Sequence, residues 1–95
     1  MKKRQDFKLV KGVFTPRDAR EVLMDLYSSK VNFHLMKNFS SNERLGKDDK
    51  TAMKRIPELK KSIAKISEII AKASDLKQRL SVTAVVTIEP AGKKE

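Results

Sequence analysis

Seven apolar residues between positions 52 and 73 recur at alternating steps of four and three, and this heptad pattern constrains the fold more than any other feature of the chain. Such steps keep apolar side chains on one side of an α-helix, where they form a seam that packs against another helix. The sequence therefore predicts a helix over 49–79, capped by the aspartates at 48 and 49. The seam consists of Ala52, Ile56, Leu59, Ile63, Ile66, Ile70 and Ala73.

Pro57 is the one residue in this segment that opposes a helix. In a helix interior, proline removes the hydrogen bond to the carbonyl four residues earlier and clashes with it, at a cost of about 3 kcal/mol. Two outcomes stay open at this point. Either the helix is kinked at Pro57, or a short helix over 49–55 ends and a new one begins with Pro57 in its first turn.

An earlier helix is predicted to begin at residue 16. Thr15 can accept hydrogen bonds from the first turn, Pro16 occupies a position where its missing N–H costs nothing, and Asp18 faces the positive helix end. The helix covers 16–44 and ends at Gly46, while a break near 38–41 stays open because Ser40 could cap a new turn.

Two apolar rows run along this first helix and make a wide apolar face, which needs cover from more than one direction. The first row is Ala19, Val22, Leu26, Phe33 and Met36, and the second is Leu23, Tyr27, Val31, Leu35 and Phe39.

At both ends of the chain the apolar period falls to two, which is typical of β-strands. Residues 7–14 predict a strand with Gly12 as a bulge or bend. Its two faces would carry Phe7, Leu9 and Val13 on one side, and Val10 and Phe14 on the other. Residues 81–89 predict a second strand, rich in β-branched residues, and 91–95 a disordered tail.

The element order predicts a single α+β, mostly α domain over 1–95, with β-α-α-β topology. Two long helices joined by a tight turn form an antiparallel hairpin, which brings the terminal strands together as a two-stranded antiparallel ribbon. A lone hairpin and a lone ribbon are each only marginally stable in water. We therefore expect a homodimer with a four-helix bundle, held by the second row, Leu23, Tyr27, Val31, Leu35 and Phe39.

Residue types that carry most enzyme chemistry are scarce. The chain has no cysteine and a single histidine, His34, which excludes thiol catalysis and multi-histidine or cysteine-ligated metal sites. The three glycines offer no phosphate-binding loop, because Gly46-Lys47 is followed by Asp48 and lacks an upstream glycine. The sequence therefore predicts a non-enzymatic protein with no catalytic residue, cofactor, metal or small-molecule substrate.

The net charge of +10 lies mainly in two segments, since residues 1–14 carry +4 and residues 47–80 carry +5. Such clusters can neutralise phosphates of DNA or RNA with little sequence specificity, whereas a solvated helix face is the competing interpretation. The candidate contact residues are Lys2, Lys3, Arg4, Lys50, Lys54, Arg55, Lys60, Lys61 and Lys65.

No segment has the roughly 18 uncharged apolar residues of a membrane span, and the basic start is not followed by an apolar stretch of secretory length. We therefore expect a cytoplasmic protein without membrane contact. The sequence favours a small self-associating helical-hairpin module that acts through protein–protein contacts. The alternative is a basic nucleic-acid-binding accessory protein.

Overall fold

The computed structural model describes residues 3–92 and has four elements: β1 (Gln5–Phe14), α1 (Pro16–Leu45), α2 (Lys50–Asp75) and β2 (Leu80–Ile88). The helices α1 and α2 pack together as a hairpin, and the strands pair antiparallel as a two-stranded ribbon. The predicted β-α-α-β fold class is confirmed. The candidate contact residue Lys2 and residues 93–95 of the expected tail lie outside the described residues.

The helix α1 is continuous, so the break considered near 38–41 does not occur. Three side chains in its last turns bond to the connection that follows, and Gly46 enters the left-handed region with φ of 68°. Because these bonds need an intact helix up to its end, they favour a continuous α1 over a new turn capped by Ser40. The Asp49 amide donates to Asn38 Oδ1 (2.7 Å), and Asn42 Nδ2 donates to Asp48 Oδ1 (2.9 Å). The Ser41 hydroxyl donates to the Lys47 carbonyl (2.7 Å).

The helix α2 begins at a cap formed by Asp49, whose carboxylate accepts from the Ala52 amide at 2.9 Å. It ends at Asp75, four residues before the predicted end at 79. The chain leaves the helix there because Lys77 adopts a left-handed φ of 54°, and the Gln78 amide donates to the Ala73 carbonyl at 2.9 Å. This arrangement is typical of a Schellman C-cap.

Pro57 lies within the single helix α2, so the alternative of two helices with a restart at Pro57 is wrong. The ring is exposed, whereas Leu59, two residues further on and about 200° around the axis, is buried. The Met53 carbonyl that loses its amide partner therefore faces away from the seam, where water can bond to it.

The ribbon contains a bulge at Leu9, which corrects the predicted arrangement of the β1 side chains. Lys8 pairs with Val85 and Val10 with Ala84, so Leu9 has no opposite residue. The extra residue reverses the alternation and places Phe7 on the same face as Val10 and Phe14. Gly12 is not the bulge, because it pairs regularly with Val82.

One face of the ribbon is therefore apolar and the other is polar. The apolar face carries Phe7, Val10 and Phe14 from β1 and Leu80, Val82, Ala84, Val86 and Ile88 from β2. The polar face carries Asp6, Lys8, Lys11 and Val13, with Ser81, Thr83, Val85 and Thr87 opposite. On that face the Thr87 hydroxyl donates to Asp6 Oδ1 at 2.9 Å.

Replacing Pro57 with alanine should stabilise the protein by about 2 kcal/mol. The variant regains a helical hydrogen bond and loses a clash, which together stabilise the folded state by about 3 kcal/mol. Alanine also raises the conformational entropy of the unfolded chain, which lowers the stability by up to about 1 kcal/mol. Urea denaturation followed by circular dichroism measures the change. Pro16→Ala is the matched control, since proline at the first helical position costs nothing and its removal should not stabilise. Equal stabilities for the Pro57→Ala variant and the unmodified protein would contradict a helical backbone at 57.

Candidate interaction surfaces

The chain exposes more surface than a compact monomer of its mass. Its accessible area is 7637 Å², whereas a folded monomer of 10.8 kDa exposes about 5,500 Å². Its radius of gyration is 16.9 Å, against about 12 Å for a compact domain of this length. The Cα atoms fill a slab of 49 × 37 × 15 Å. The chain is therefore a thin, open structure with an incomplete core.

The core that exists lies along the contact between α1 and α2. The seam of α2 is correctly predicted, because four of its seven members are buried and the other three half-buried. The helix α1 contributes only two fully buried side chains. The buried set in the described chain is Ala19, His34, Ala52, Leu59, Ile70 and Ala73.

The second apolar row of α1 does not form one face. Each step of four residues advances about 40° around a helix, so a row at this spacing winds around the axis. Its first members, Leu23, Tyr27 and Val31, are half-buried, whereas Leu35 and Phe39 are 47% and 62% exposed. Of the predicted self-association residues, only Leu35 and Phe39 are thus largely free, with Val31 at their margin. We call Val31, Leu35 and Phe39 the helix surface.

Phe33, in the first row of α1, is exposed but has partners within the chain. The Lys30 ammonium lies 4.7 Å from the centre of its ring, and the Lys37 ammonium lies 5.9 Å away. Both distances are within the range of cation–π attraction. This side of α1 is therefore mixed in character, whereas the Phe39 ring has no such cation over it among residues 3–92.

A second uncovered surface lies on the apolar face of the ribbon. At the root of the ribbon, Leu80 and Val82 are half-buried, and residues 80–83 line a shallow pocket together with Leu23, Ile66, Ile69 and Ile70 of the hairpin. Toward the tip, Phe7 and Ile88 are more than half exposed and Val86 is 40% exposed. We call Phe7, Val86 and Ile88 the ribbon surface. Sequence reasoning missed it because alternation alone does not reveal the bulge at Leu9.

The structure separates the two groups of candidate basic residues. Lys3 and Arg4 lie at the tip of the ribbon, and Arg4 Nε pairs with Asp6 Oδ1 at 3.2 Å. Lys50 and Lys54 begin α2 at the opposite end of the hairpin from the ribbon. The N-terminal arm and the second helix therefore do not form one continuous basic patch.

Within α2 the basic candidates also divide. Arg55 is half-buried and pairs with Glu58, and Lys60 lies about 100° around the helix from Lys61. The remaining four lysines are exposed, lie within about 60° of one another around α2 at steps of four, seven and four, and span about 22 Å. We call them the lysine stripe: Lys50, Lys54, Lys61 and Lys65. Two of them, Lys61 and Lys65, also line a groove with Tyr27 of α1.

His34 is the one buried polar side chain of the described residues. It is 5% exposed, and its Nε2 atom has no hydrogen-bond partner there, while the ring meets Phe33 edge to face at 5.4 Å. No group of three metal-ligating side chains occurs within 3–92. His34 is therefore a buried residue of the small core.

His34→Leu should raise the free energy of unfolding by about 1–2 kcal/mol. An unsatisfied buried nitrogen carries a desolvation penalty of about this size, and leucine removes it while filling a similar volume. Chemical denaturation measures the change, with Asn32→Leu as the exposed control expected to change stability by less than about 0.5 kcal/mol. Destabilisation by His34→Leu would indicate that the imidazole nitrogen is engaged by a partner.

Neither described helix combines the length and the apolar character needed to cross a membrane. Comparisons with family models, curated proteins and solved structures found no match.

Proposed function

We propose that this protein is a small, non-enzymatic, self-associating helical-hairpin module that acts through protein–protein contacts, and that its first partner is a second copy of itself. The observation that carries the proposal is the surplus of exposed surface. The chain exposes about 2,000 Å² more than a compact monomer of its mass. Two such surpluses fall within the 2,000–5,000 Å² that obligate dimers bury.

The chemistry of the uncovered surfaces supports a stable partner. The helix surface and the ribbon surface consist of aromatic and branched aliphatic side chains, and neither contains a charged residue. A stable globular unit needs two packed layers of secondary structure. With a thickness of 15 Å between Cα atoms, the chain supplies little more than one layer. Pairing of two helix surfaces would produce the four-helix arrangement expected from the sequence.

A second copy of the chain is the partner that the general prevalence of symmetric homodimers favours. Most soluble oligomers are symmetric homodimers, in which one self-complementary patch covers itself. The proposal includes a cytoplasmic location. It also includes the absence of catalytic, cofactor and small-molecule sites, since protein–protein contacts alone account for the exposed apolar residues.

The oligomeric state tests this proposal. Multi-angle light scattering at micromolar concentration should give the mass of a dimer, about 22 kDa, twice the chain mass of 10.8 kDa. If the helix surfaces pair, replacing both Leu35 and Phe39 with glutamate should give a monomer, because two carboxylates would have to be desolvated in the interface. Both side chains are largely exposed in the single chain, so helical content by circular dichroism should persist.

The matched control introduces the same charge elsewhere, as Ser29→Glu together with Thr51→Glu, two exposed polar positions. This control should remain a dimer. A monomeric unmodified protein at micromolar concentration would overturn the proposal.

The lysine stripe supports a second candidate function, contact with the phosphate backbone of DNA or RNA. Its four ammonium groups face solvent on one side of α2, and none of them takes part in an ion pair within residues 3–92. A row of cations about 22 Å long matches several successive phosphates. The contact would position a backbone without reading bases.

Salt dependence measures this candidate. Four phosphate contacts should weaken duplex binding by about two decades between 50 and 200 mM salt. Changing Lys54, Lys61 and Lys65 to glutamate should abolish binding, whereas the same change at Lys8, Lys11 and Lys60, which alters net charge equally, should leave most of it. Fluorescence anisotropy with labelled DNA and RNA duplexes gives the affinities. Equal losses in both triple variants would indicate generic attraction of a basic protein to a polyanion.

A further inference from the structure

We propose that two copies join along the outer edge of β2, so that their ribbons form one four-stranded antiparallel sheet in the order β1-β2-β2-β1. This inference rests on the proposed self-association and assigns it to a contact other than the helix surface, so under it a variant with glutamate at Leu35 and Phe39 remains a dimer. A two-stranded ribbon is marginal in water, whereas a sheet of three or more strands with one apolar face is stable when that face is covered.

The two free edges of the ribbon differ in how they resist pairing. Each strand has a single partner in the described chain, so each has an unpaired edge. β1 carries Lys8, Lys11 and the bulge at Leu9, and lysines and bulges are features that block addition of another strand. β2 has nine residues, Leu80–Ile88, with no charge, proline, glycine or bulge. The open edge is therefore that of β2.

The sequence of β2 is suited to pairing with itself. Nine residues have a central one, Ala84, and an antiparallel pair centred there places like residues opposite each other. The three apolar pairs share one face, and the two remaining pairs share the other, where hydroxyl-bearing side chains dominate. The pairs are Leu80 with Ile88, Val82 with Val86 and Ala84 with itself on the apolar face, and Ser81 with Thr87 and Thr83 with Val85 on the polar face.

The symmetry of this pairing also covers the ribbon surface. Adjacent antiparallel strands of identical chains are related by a twofold axis perpendicular to the sheet, so both apolar faces point to the same side. Ile88 then lies beside the partner's Leu80, at the root of the partner's ribbon, where the partner's hairpin packs. The uncovered tip of each ribbon consequently meets the covered root of the other.

This arrangement supplies the missing layer. The two hairpins lie on the same side of one sheet, at opposite ends of it, and together they cover an apolar face that a single hairpin covers only at the root. The result is a helical layer on a four-stranded sheet, which is a stable domain architecture.

Cysteine cross-linking tests the pairing, because the chain contains no cysteine and each introduced thiol is unique. Ala84→Cys places two thiols opposite each other at the twofold axis. The two copies of a cysteine at 81 would instead lie about 20 Å apart, beyond the reach of a disulfide. Under mild oxidation of 10 µM protein, the Ala84→Cys variant should form a disulfide-linked dimer about 100-fold faster than the Ser81→Cys variant, since paired thiols act at millimolar effective concentration.

A second pair of variants keeps the test valid if a thiol at 84 disturbs the sheet. Ser81 and Thr87 are exposed on the polar face, so cysteine there should be tolerated. Ser81→Cys and Thr87→Cys chains, mixed and allowed to exchange, should cross-link to each other while neither links to itself. Non-reducing electrophoresis and mass spectrometry identify the products.

The outcomes separate this inference from the proposed function. Rapid linkage at 84, or between 81 and 87, supports pairing through β2. A dimer by light scattering that links at neither place, or equally at 81, 84 and 87, overturns the strand pairing and leaves self-association standing. A monomer by light scattering overturns both.

Discussion

The contact between α1 and α2 is the interaction on which the rest of the structure depends. The α2 seam, in which Leu59 and Ile70 are the largest buried side chains, holds the two helices antiparallel and so returns the chain to where it began. Only because of that return can β1 and β2 pair, since they are separated by the whole hairpin. Burial of apolar surface is the dominant favourable term in folding, and here it is concentrated along this one line of contact.

A single line of contact covers one side of each helix and leaves the others bare. In α2 the other sides are mostly polar, with Met53 and Ile69, 44% and 56% exposed, as apolar exceptions. In α1 apolar residues surround the helix, and the ribbon adds a further apolar face that the hairpin covers only at its root. The same feature therefore explains both the small core and the proposed need for a second copy. The lysine stripe lies on the outer side of α2, away from the seam, and is compatible with either candidate function.

Much of the fold follows from local sequence, because its signals are local. Thr15, Gly46 and Asp49 mark helix ends through hydrogen bonds or left-handed geometry that depend on a few neighbouring residues. The bulge at Leu9 depends instead on the register between strands far apart in sequence, so it could not be read from alternation, and with it the ribbon surface was missed. The sequence likewise does not show which members of the second row of α1 are buried. Packing against α2 decides this, and it leaves Leu23 half-buried and Phe39 exposed.

The most direct test of an incomplete single-chain core is the dependence of unfolding on protein concentration. If folding and association are coupled, the urea midpoint must rise with concentration, and a 100-fold increase should add about 2.7 kcal/mol per mole of dimer. Denaturation curves at 0.5 and 50 µM chain, followed by circular dichroism, are sufficient to detect this. A shift of that size is the result expected here. Superimposable curves at the two concentrations would show that one chain folds alone, and would contradict the account.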